Sequence, residues 1–355
     1  MNYYTAQQHF ERLFAKTKRT HSFCAQTTEE HLVWQRQLRE KLQELTGMQR
    51  MERCDPQPVL LEEKSFEGYT RRKYVIHTEE DVEMPFYMLI PDGCGPDRVR
   101  SAVIACHGHS SHGKSAVVGE RECPWVSDRI DHYHYNFGEV LAQKGYVVFA
   151  ADARGFGERR ERYQQGDTAD KMLDSSCAYL NAMAISLGQS VTGMWVWDLM
   201  RLADFALAQP EVNGHIGCVG LSGGGLQSLW LAALDDRMEC SVVSGYFYGY
   251  LESLLINHNC DCNYVPGLWN AADIGDIGAL IAPRPMVIET GDQDDLNGKS
   301  GLKNVTAQVE TVRRAMALYG AQDRLCHHIF SGGHRWSGEK AYPWLERYLP
   351  AVWEE

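Results

Sequence analysis

The stretch Gly220-Leu221-Ser222-Gly223-Gly224 lies between two apolar segments, residues 216–219 and 226–234. The first segment is short, as expected for a buried strand, and the second is apolar almost all round, as expected for a buried helix. A strand, a tight glycine-rich turn with serine at its tip and a helix form a nucleophile elbow. Such a turn projects the hydroxyl above the sheet, and the helix N-terminus directs N–H groups at developing negative charge. We therefore predict that Ser222 is a nucleophile.

Short apolar runs like the one before Ser222 recur along the chain, and helical patterns separate many of them. Runs of this kind are typical of strands buried on both faces of a sheet. Their alternation with helices indicates an α/β fold with a mainly parallel central sheet and helices on both faces. In such a sheet the active groups lie at the carboxyl ends of the strands. The further predicted strands are residues 69–77, 85–90, 103–106, 146–151, 240–243, 285–288 and 326–330.

Residues 1–57 are predicted to form an N-terminal helical extension to a catalytic domain over residues 58–355. Thr27 and Glu30 have the spacing of a capping box, and Gly47 is a typical helix terminator. The helix between them needs a partner surface for its apolar stripe. The sequence leaves two partners open, the main domain or a second copy of the chain in a homo-oligomer. The stripe consists of Trp34, Leu38, Leu42 and Leu45.

The acid and the base that would activate Ser222 have candidates after two later strands. Asp292, Asp294 and Asp295 follow the next-to-last predicted strand, and His334 follows the last one. The order serine, acid, histidine along the chain is that of a nucleophile-elbow enzyme. His334 would take the hydroxyl proton, and a carboxylate would orient the imidazole. The spacing alone leaves all three aspartates open as the acid.

An oxyanion hole needs two N–H groups near the serine. One comes from the residue after the nucleophile, Gly223, and for the other our candidate is the main-chain N–H of His109, in the loop after the strand at 103–106. His107 and His109 also suggest zinc, but no carboxylate follows at ligand spacing, so we expect no metal there. The segment 258–262 contains one histidine and two cysteines and lacks a fourth ligand at a recognisable spacing. We interpret it as a structural loop.

The segment 246–282, between two predicted strands, is long and rich in aromatic residues. Such segments are typical of lids or binding walls, and the alternative is a small core of their own beneath the loop. Tyr248 and Trp269 from this segment are candidate substrate-binding residues. Trp336, two residues after the proposed base, is the third candidate.

Four charged residues lie in loops near the predicted site. We interpret Asp152, directly after the strand at 146–151, as a loop-shaping carboxylate paired with Arg154 rather than as the catalytic acid. Lys114 and Arg121 lie in the loop after the oxyanion strand. They are candidates for contacts with a polar substrate.

Together these motifs resemble the α/β-hydrolase superfamily, and within it the dienelactone-hydrolase-like and acetyl-xylan-esterase-like branch of bacterial serine esterases. The resemblance implies an α/β-hydrolase fold with Ser222 as nucleophile, His334 as base and Asp294, three residues after Gly291, as acid. The chain departs from dienelactone hydrolases in its serine, rather than cysteine, at the elbow and in its longer N-terminus. The matching motifs, in family order over about residues 58–350, are His107-Gly108-His109, Asp152 to Gly157, Trp197-Asp198 to Arg201, Gly220 to Gly224, Ala282-Pro283-Arg284-Pro285, Gly291 to Asp294 and Gly333-His334.

The activity that this resemblance implies is hydrolysis of carboxylic esters through an acyl-enzyme, without a cofactor. Short-acyl or acetyl esters, including esters of carbohydrates, are the implied substrates. Two alternatives stay open. One is a peptidase or amidase with the same triad, and the other is a non-catalytic binding protein on a hydrolase fold.

The composition limits the partners of the chain. The 355 residues include 35 Lys and Arg against 47 Asp and Glu, a formal net charge of −12, and an acidic surface repels nucleic acid. No apolar stretch approaches the roughly 18 residues of a membrane span, and the start lacks the pattern of a signal peptide. The eleven cysteines are scattered and do not form a disulfide framework. We expect a cytoplasmic protein that acts on a small-molecule or carbohydrate ester and has neither a nucleic-acid nor a membrane partner.

Overall fold

The computed structural model describes residues 2–109 and 111–353. The strands in this part of the chain are β1 Val59–Phe66, β2 Tyr69–Glu79, β3 Val82–Pro91, β4 Arg100–Cys106, β5 Val147–Ala151, β6 Val212–Leu221, β7 Met238–Ser244, β8 Met286–Gly291 and β9 Leu325–Phe330. They form one sheet in the order β1-β2-β3-β5-β4-β6-β7-β8-β9. The pairs β1–β2, β2–β3 and β3–β5 are antiparallel. All the other neighbouring pairs, from β5–β4 to β8–β9, are parallel. The predicted mainly parallel sheet is confirmed.

One strand, β1, does not follow the pattern that predicts the others. It lies at the edge of the sheet beside β2, and nearly all its side chains are exposed. An exposed edge strand needs no apolar face, so its sequence carries no alternation of apolar and polar residues. The strands from β4 to β8 are almost entirely buried, and their apolar runs predict them well.

Helices cover both faces of the sheet, as predicted. They are α1 Gln7–Lys16, α2 Thr28–Thr46, α3 Lys114–Val117, α4 Pro124–Tyr133, α5 Phe137–Gln143, α6 Ala169–Leu173, α7 Cys177–Ser186, α8 Val191–Leu207, α9 Gly223–Leu234, α10 Leu268–Ala271, α11 Ile274–Ala279, α12 Leu302–Ala317 and α13 Ala341–Tyr348. Alternate side chains of β4 and β5 enter two separate apolar clusters: Ile104 and Phe149 lie in the cluster with α8 and α9, and Val103 and Val148 in the cluster with α5 and α13. Among the described residues no helix is both long and apolar enough to cross a bilayer.

The helix α2 packs against the main domain. It starts after Thr27, whose side chain accepts a hydrogen bond from the Glu30 N–H at 3.2 Å, and it ends at Gly47 in the left-handed conformation. Its apolar stripe belongs to the same buried cluster as α8 and α9. Gln35 donates from Nε2 to the carbonyl of Leu280 at 2.9 Å. Of the two partners that the sequence leaves open, the structure places the main domain against the stripe.

Candidate active site

Ser222 stands at the sharp corner between β6 and α9. Its φ of 62° and ψ of −122° place it in a backbone region that residues with side chains rarely adopt. The corner needs a glycine opposite, because a Cβ on Gly108 would lie 2.9 Å from the Cβ of Ser222. The Ser222 N–H donates to the carbonyl of Ser244 at 2.9 Å, which ties the corner to the end of β7. This is the strand–turn–helix geometry that the G-x-S-x-G pattern predicts.

The structure brings one of the three candidate acids to the candidate base. Nδ1 of His334 and Oδ2 of Asp294 lie 2.6 Å apart, and the Asp294 side chain is 2% exposed. The other carboxylate oxygen of Asp294 accepts from the Leu296 N–H at 2.9 Å, which fixes the orientation of the carboxylate. Asp292 and Asp295 are exposed. Only Asp294 among the three therefore contacts the imidazole.

The second ring nitrogen of His334, Nε2, is buried. Among the described residues, Nε2 has no hydrogen-bond partner. The ring rests on Gly245, where an added Cβ would lie 2.9 Å from Cε1 of the imidazole. Gly245 follows Ser244, the residue whose carbonyl accepts from Ser222. Because Asp294 engages Nδ1, Nε2 is the nitrogen left to accept a proton, and catalytic hydrogen bonds to it commonly tighten only when substrate binds.

Two main-chain N–H groups are available next to Ser222. Within the described ranges, neither Gly223 nor His109 donates its N–H to an acceptor. Gly223 is the first residue of α9, so the positive end of the helix dipole adds to its N–H. The carbonyl of His109 accepts a hydrogen bond from the Tyr135 hydroxyl at 3.2 Å. The imidazole ring of His109 packs on Gly223. The arrangement has the donors that an oxyanion hole requires.

A narrow cavity of only about 10 Å³ opens onto the serine. Tyr248, one of the candidate substrate-binding residues, lines it and is itself buried. Polar side chains from the 246–282 segment share the wall with aromatic ones. The buried apolar side chains of this segment belong to the same core cluster as α8 and α9, so the segment has no separate core of its own. The lining residues are His109, Ser222, Gly223, Tyr246, Tyr248, Asn259, Asn263 and Leu296.

The other two candidate substrate-binding residues do not line this cavity. Trp336 is buried in the core cluster around α5 and α13, where it stacks on Phe137 at 4.5 Å between ring centroids. Trp336 is close to His334 along the chain, but the loop turns the Trp336 side chain into the core and away from the cavity. Trp269 packs edge-on against Phe14 of α1 at 5.8 Å. It therefore holds the N-terminal helix.

Comparison with known proteins agrees with this architecture. A sequence model of the Abhydrolase family matches residues 2–245, more than half of the chain. The chain belongs to this Abhydrolase family. The protein named "Putative hydrolase YtaP" from Bacillus subtilis (strain 168) is 29% identical over 211 residues, which are 56% of this chain. The chain spans 62% of the length of that relative, less than two thirds.

Solved structures share the fold of this Abhydrolase family member over almost its whole length. A putative acetyl xylan esterase from Bacteroides fragilis NCTC 9343 superimposes with a TM-score of 0.81 at 19% identity, over 98% of this chain and 95% of that one. A glucuronoyl esterase from Solibacter usitatus has a TM-score of 0.66 at 14% identity, over 96% and 100%. Acetyl Xylan Esterase 1 from Thermoanaerobacterium sp. JW/SL YS485 has a TM-score of 0.57 at 17% identity, over 97% and 98%. These likenesses establish the predicted α/β-hydrolase fold.

Two of the charged residues form a buried ion pair that supports the loop after β4. Nζ of Lys114 lies 2.6 Å from Oδ2 of Asp152, and both side chains are almost fully buried. Burial alone would raise the pKa of Asp152, but Lys114 holds it below its usual value. Lys114 is thus no substrate contact. Asp152 is a loop-shaping carboxylate, as expected, but its partner is Lys114, because Arg154 binds Asp198 at 2.8 Å. Arg121 is exposed and paired with an aspartate on α4.

Three thiols and one imidazole form a cluster that includes His109 from the loop after β4. The ligand-type atoms of His109, Cys177, Cys260 and Cys262 all lie within 4.8 Å of one another. The two cysteines of segment 258–262 thus meet a third cysteine and a histidine in space. Two donors come from distant positions, and no spacing rule could have found them. His107 lies outside this cluster, and its Nε2 accepts from a backbone N–H instead.

A buried carboxylate on β8 holds the far end of the loop that carries His334. Glu289 accepts hydrogen bonds from the N–H of Gly338 at 2.9 Å and of Ser337 at 3.3 Å. Burial raises the pKa of Glu289 to about 7. The loop is therefore anchored by a group that titrates near neutral pH.

The pH dependence of stability should report this group. Since the folded-state pKa of Glu289 lies above the ordinary 4.5, the folded protein holds a proton that the unfolded chain releases between these values. We expect the free energy of unfolding to fall as the pH rises from about 4.5 to about 7, by up to about 3 kcal/mol relative to Glu289→Gln. Urea unfolding of both proteins at several pH values measures this difference. Parallel pH profiles for the two proteins would contradict the assignment.

Proposed function

We propose that this protein is a serine esterase that hydrolyses short-acyl esters, acetyl esters above all, of carbohydrate or other small alcohols. The observation that carries the proposal is the 2.6 Å contact between His334 and Asp294 beside the strained corner at Ser222. Each of the three residues follows the carboxyl end of a parallel strand, where α/β sheets place their active groups. The names of the solved structures with the same fold agree with the ester chemistry.

In the proposed reaction the Ser222 hydroxyl attacks the ester carbonyl while Nε2 of His334 takes its proton. The N–H groups of Gly223 and His109 bind the oxyanion of the tetrahedral intermediate. The C–O bond to the alcohol then breaks, and the imidazolium returns the proton to the leaving oxygen. Water, deprotonated by the same imidazole, attacks the acyl-serine and releases the acid. Asp294 holds the Nδ1–H tautomer and stabilises the charged ring in both halves.

The size of the cavity is the reason for proposing a short acyl group. The space next to Ser222 is enclosed by Tyr246 and Tyr248, which are both buried. Forcing extra methylenes into a packed wall costs about 1–3 kcal/mol, or about 5- to 150-fold in rate. We expect kcat/KM for p-nitrophenyl octanoate to be at least about 10-fold below that for p-nitrophenyl acetate.

A variant pair sharpens this measurement. Leu296→Ala removes a partly buried side chain of the cavity wall, and should raise the octanoate-to-acetate ratio. Leu318→Ala removes an equally half-buried leucine far along the chain and should leave the ratio unchanged. A ratio of one or more in the unaltered protein would rule out a short-acyl preference.

Covalent labelling separates the esterase from a binding protein on the same fold. A fluorophosphonate probe reacts with an activated serine, and we expect peptide mapping to find the label on Ser222. Comparison of p-nitrophenyl acetate with the matching anilide then separates an esterase from an amidase, and we expect hydrolysis of the ester to be the faster. An unlabelled, folded protein would refute the proposed function, and a faster anilide reaction would make it an amidase.

A further inference from the structure

We infer that His109, Cys177, Cys260 and Cys262 form a four-coordinate zinc site beside Ser222. Their nitrogen and sulfur donors all lie within 4.8 Å of one another. Nε2 of His109 is 3.4 Å from Sγ of Cys262. Tetrahedral zinc, with bonds of about 2.3 Å to sulfur and about 2.0 Å to nitrogen, would hold such a pair about 3.5 Å apart. The observed separation therefore matches one edge of a zinc tetrahedron.

The kind of donors favours zinc over other ions. Three thiolates and one imidazole are a typical structural zinc set, whereas magnesium and calcium prefer oxygen donors. Cys177 and Cys262 are buried, and His109 and Cys260 are half-buried, so the cluster is shielded from solvent. Binding would release the three thiol protons to solvent and form three Zn–S bonds and one Zn–N bond.

The four donors come from three separate parts of the chain. His109 follows β4, Cys177 begins α7, and the two remaining cysteines lie in the segment between β7 and β8. A disulfide would join only two of these sulfur atoms and leave the imidazole unused. A single ion would join all three parts.

The site would position the oxyanion loop rather than take part in the reaction. With four protein donors the coordination sphere is closed, which is typical of structural zinc. The ring of His109 also packs on Gly223, where an added Cβ would lie 2.7 Å from Nδ1. Zinc would therefore fix His109 between the metal and the start of α9. It would also fix Asn259 and Asn263, which line the cavity on either side of the cysteines.

Metal analysis of the purified full chain tests the inference. The protein should be made in zinc-supplemented cells and purified without chelators or a metal-affinity tag. Inductively coupled plasma mass spectrometry should then find one zinc ion per chain. Cys260→Ser and Cys262→Ser should each lower the zinc content at least about 10-fold, since each removes one of four ligands. Cys326→Ser, a half-buried cysteine outside the cluster, is the matched control and should keep its zinc.

A second measurement covers the case in which a ligand variant does not fold. Cobalt exchanged into the unaltered protein should show the thiolate charge-transfer band and the strong visible bands of a tetrahedral site. Folded protein that holds little zinc and gives no such spectrum would overturn the inference. So would peptide mapping that finds a disulfide within the cluster. Neither readout depends on substrate turnover, so the zinc site and the proposed esterase can fail separately.

Discussion

Replacing Ser222 by alanine is expected to lower kcat for p-nitrophenyl acetate by about 10⁴- to 10⁶-fold. The substitution removes the oxygen that attacks the ester carbonyl and leaves the remaining parts of the proposed site in place. The N–H groups of Gly223 and His109 would still polarise a bound carbonyl, so a small residual rate above that of water is expected. KM should change little, because the hydroxyl contributes mainly to the transition state. Single-turnover kinetics and the loss of fluorophosphonate labelling measure both effects.

The structure predicts that this variant stays folded. Both alanine and serine have a Cβ, so the conformational strain at φ 62° should be similar in the variant. The hydrogen bond from the N–H of residue 222 to the Ser244 carbonyl involves only main-chain atoms and should be retained. Thermal unfolding should therefore give a midpoint close to that of the unaltered protein. Ser331→Ala, at an exposed serine in the loop before His334, is the matched control and should keep nearly full activity. Unchanged turnover by a folded Ser222→Ala protein would end the esterase proposal.

The parts of the fold that the sequence predicts are those with a strong local signal. Strands buried on both faces need continuous apolar runs, and the elbow needs small residues around Ser222. The helix α2 carries its own start and stop signals at Thr27 and Gly47. The edge strand β1 has none of these constraints, since nearly all its side chains are exposed to solvent.

The site shows the same division between local and long-range information. Spacing alone narrows the acid to three aspartates, and only the family resemblance selects Asp294, because which carboxylate meets His334 depends on how the loops after β8 and β9 fold together. The direction of the Trp336 side chain depends on the core beneath its loop. The cysteine cluster depends on the topology alone, because α7 and the segment after β7 meet only in the folded chain. One sequence carries no direct record of such contacts.

Replacing Asp294 by asparagine is expected to lower kcat by about 10⁴-fold while the backbone stays in place. An amide that donates to Nδ1 would stabilise the wrong tautomer of His334, with its proton on Nε2, and the ring could no longer take the serine proton. The asparagine oxygen can still accept from the Leu296 N–H, which is the second contact of the native carboxylate. Stopped-flow measurement of acylation by p-nitrophenyl acetate, beside thermal unfolding, separates the loss of rate from a loss of structure.

The neighbouring aspartates provide a control that the structure makes specific. Asp292→Asn and Asp295→Asn change the same kind of side chain within two positions of Asp294, at exposed sites. Asp292 accepts a hydrogen bond from the Gly332 N–H at 2.8 Å. Asp292→Asn should therefore loosen the loop that carries His334 and lower kcat a few-fold at most. The loss of kcat in Asp295→Asn should be smaller still. A loss at either neighbour as large as that at Asp294 would mean that the 2.6 Å contact with His334 is not the one used in the reaction. The proposed mechanism requires a single dominant carboxylate, because only one can hold Nδ1 while Nε2 takes the proton.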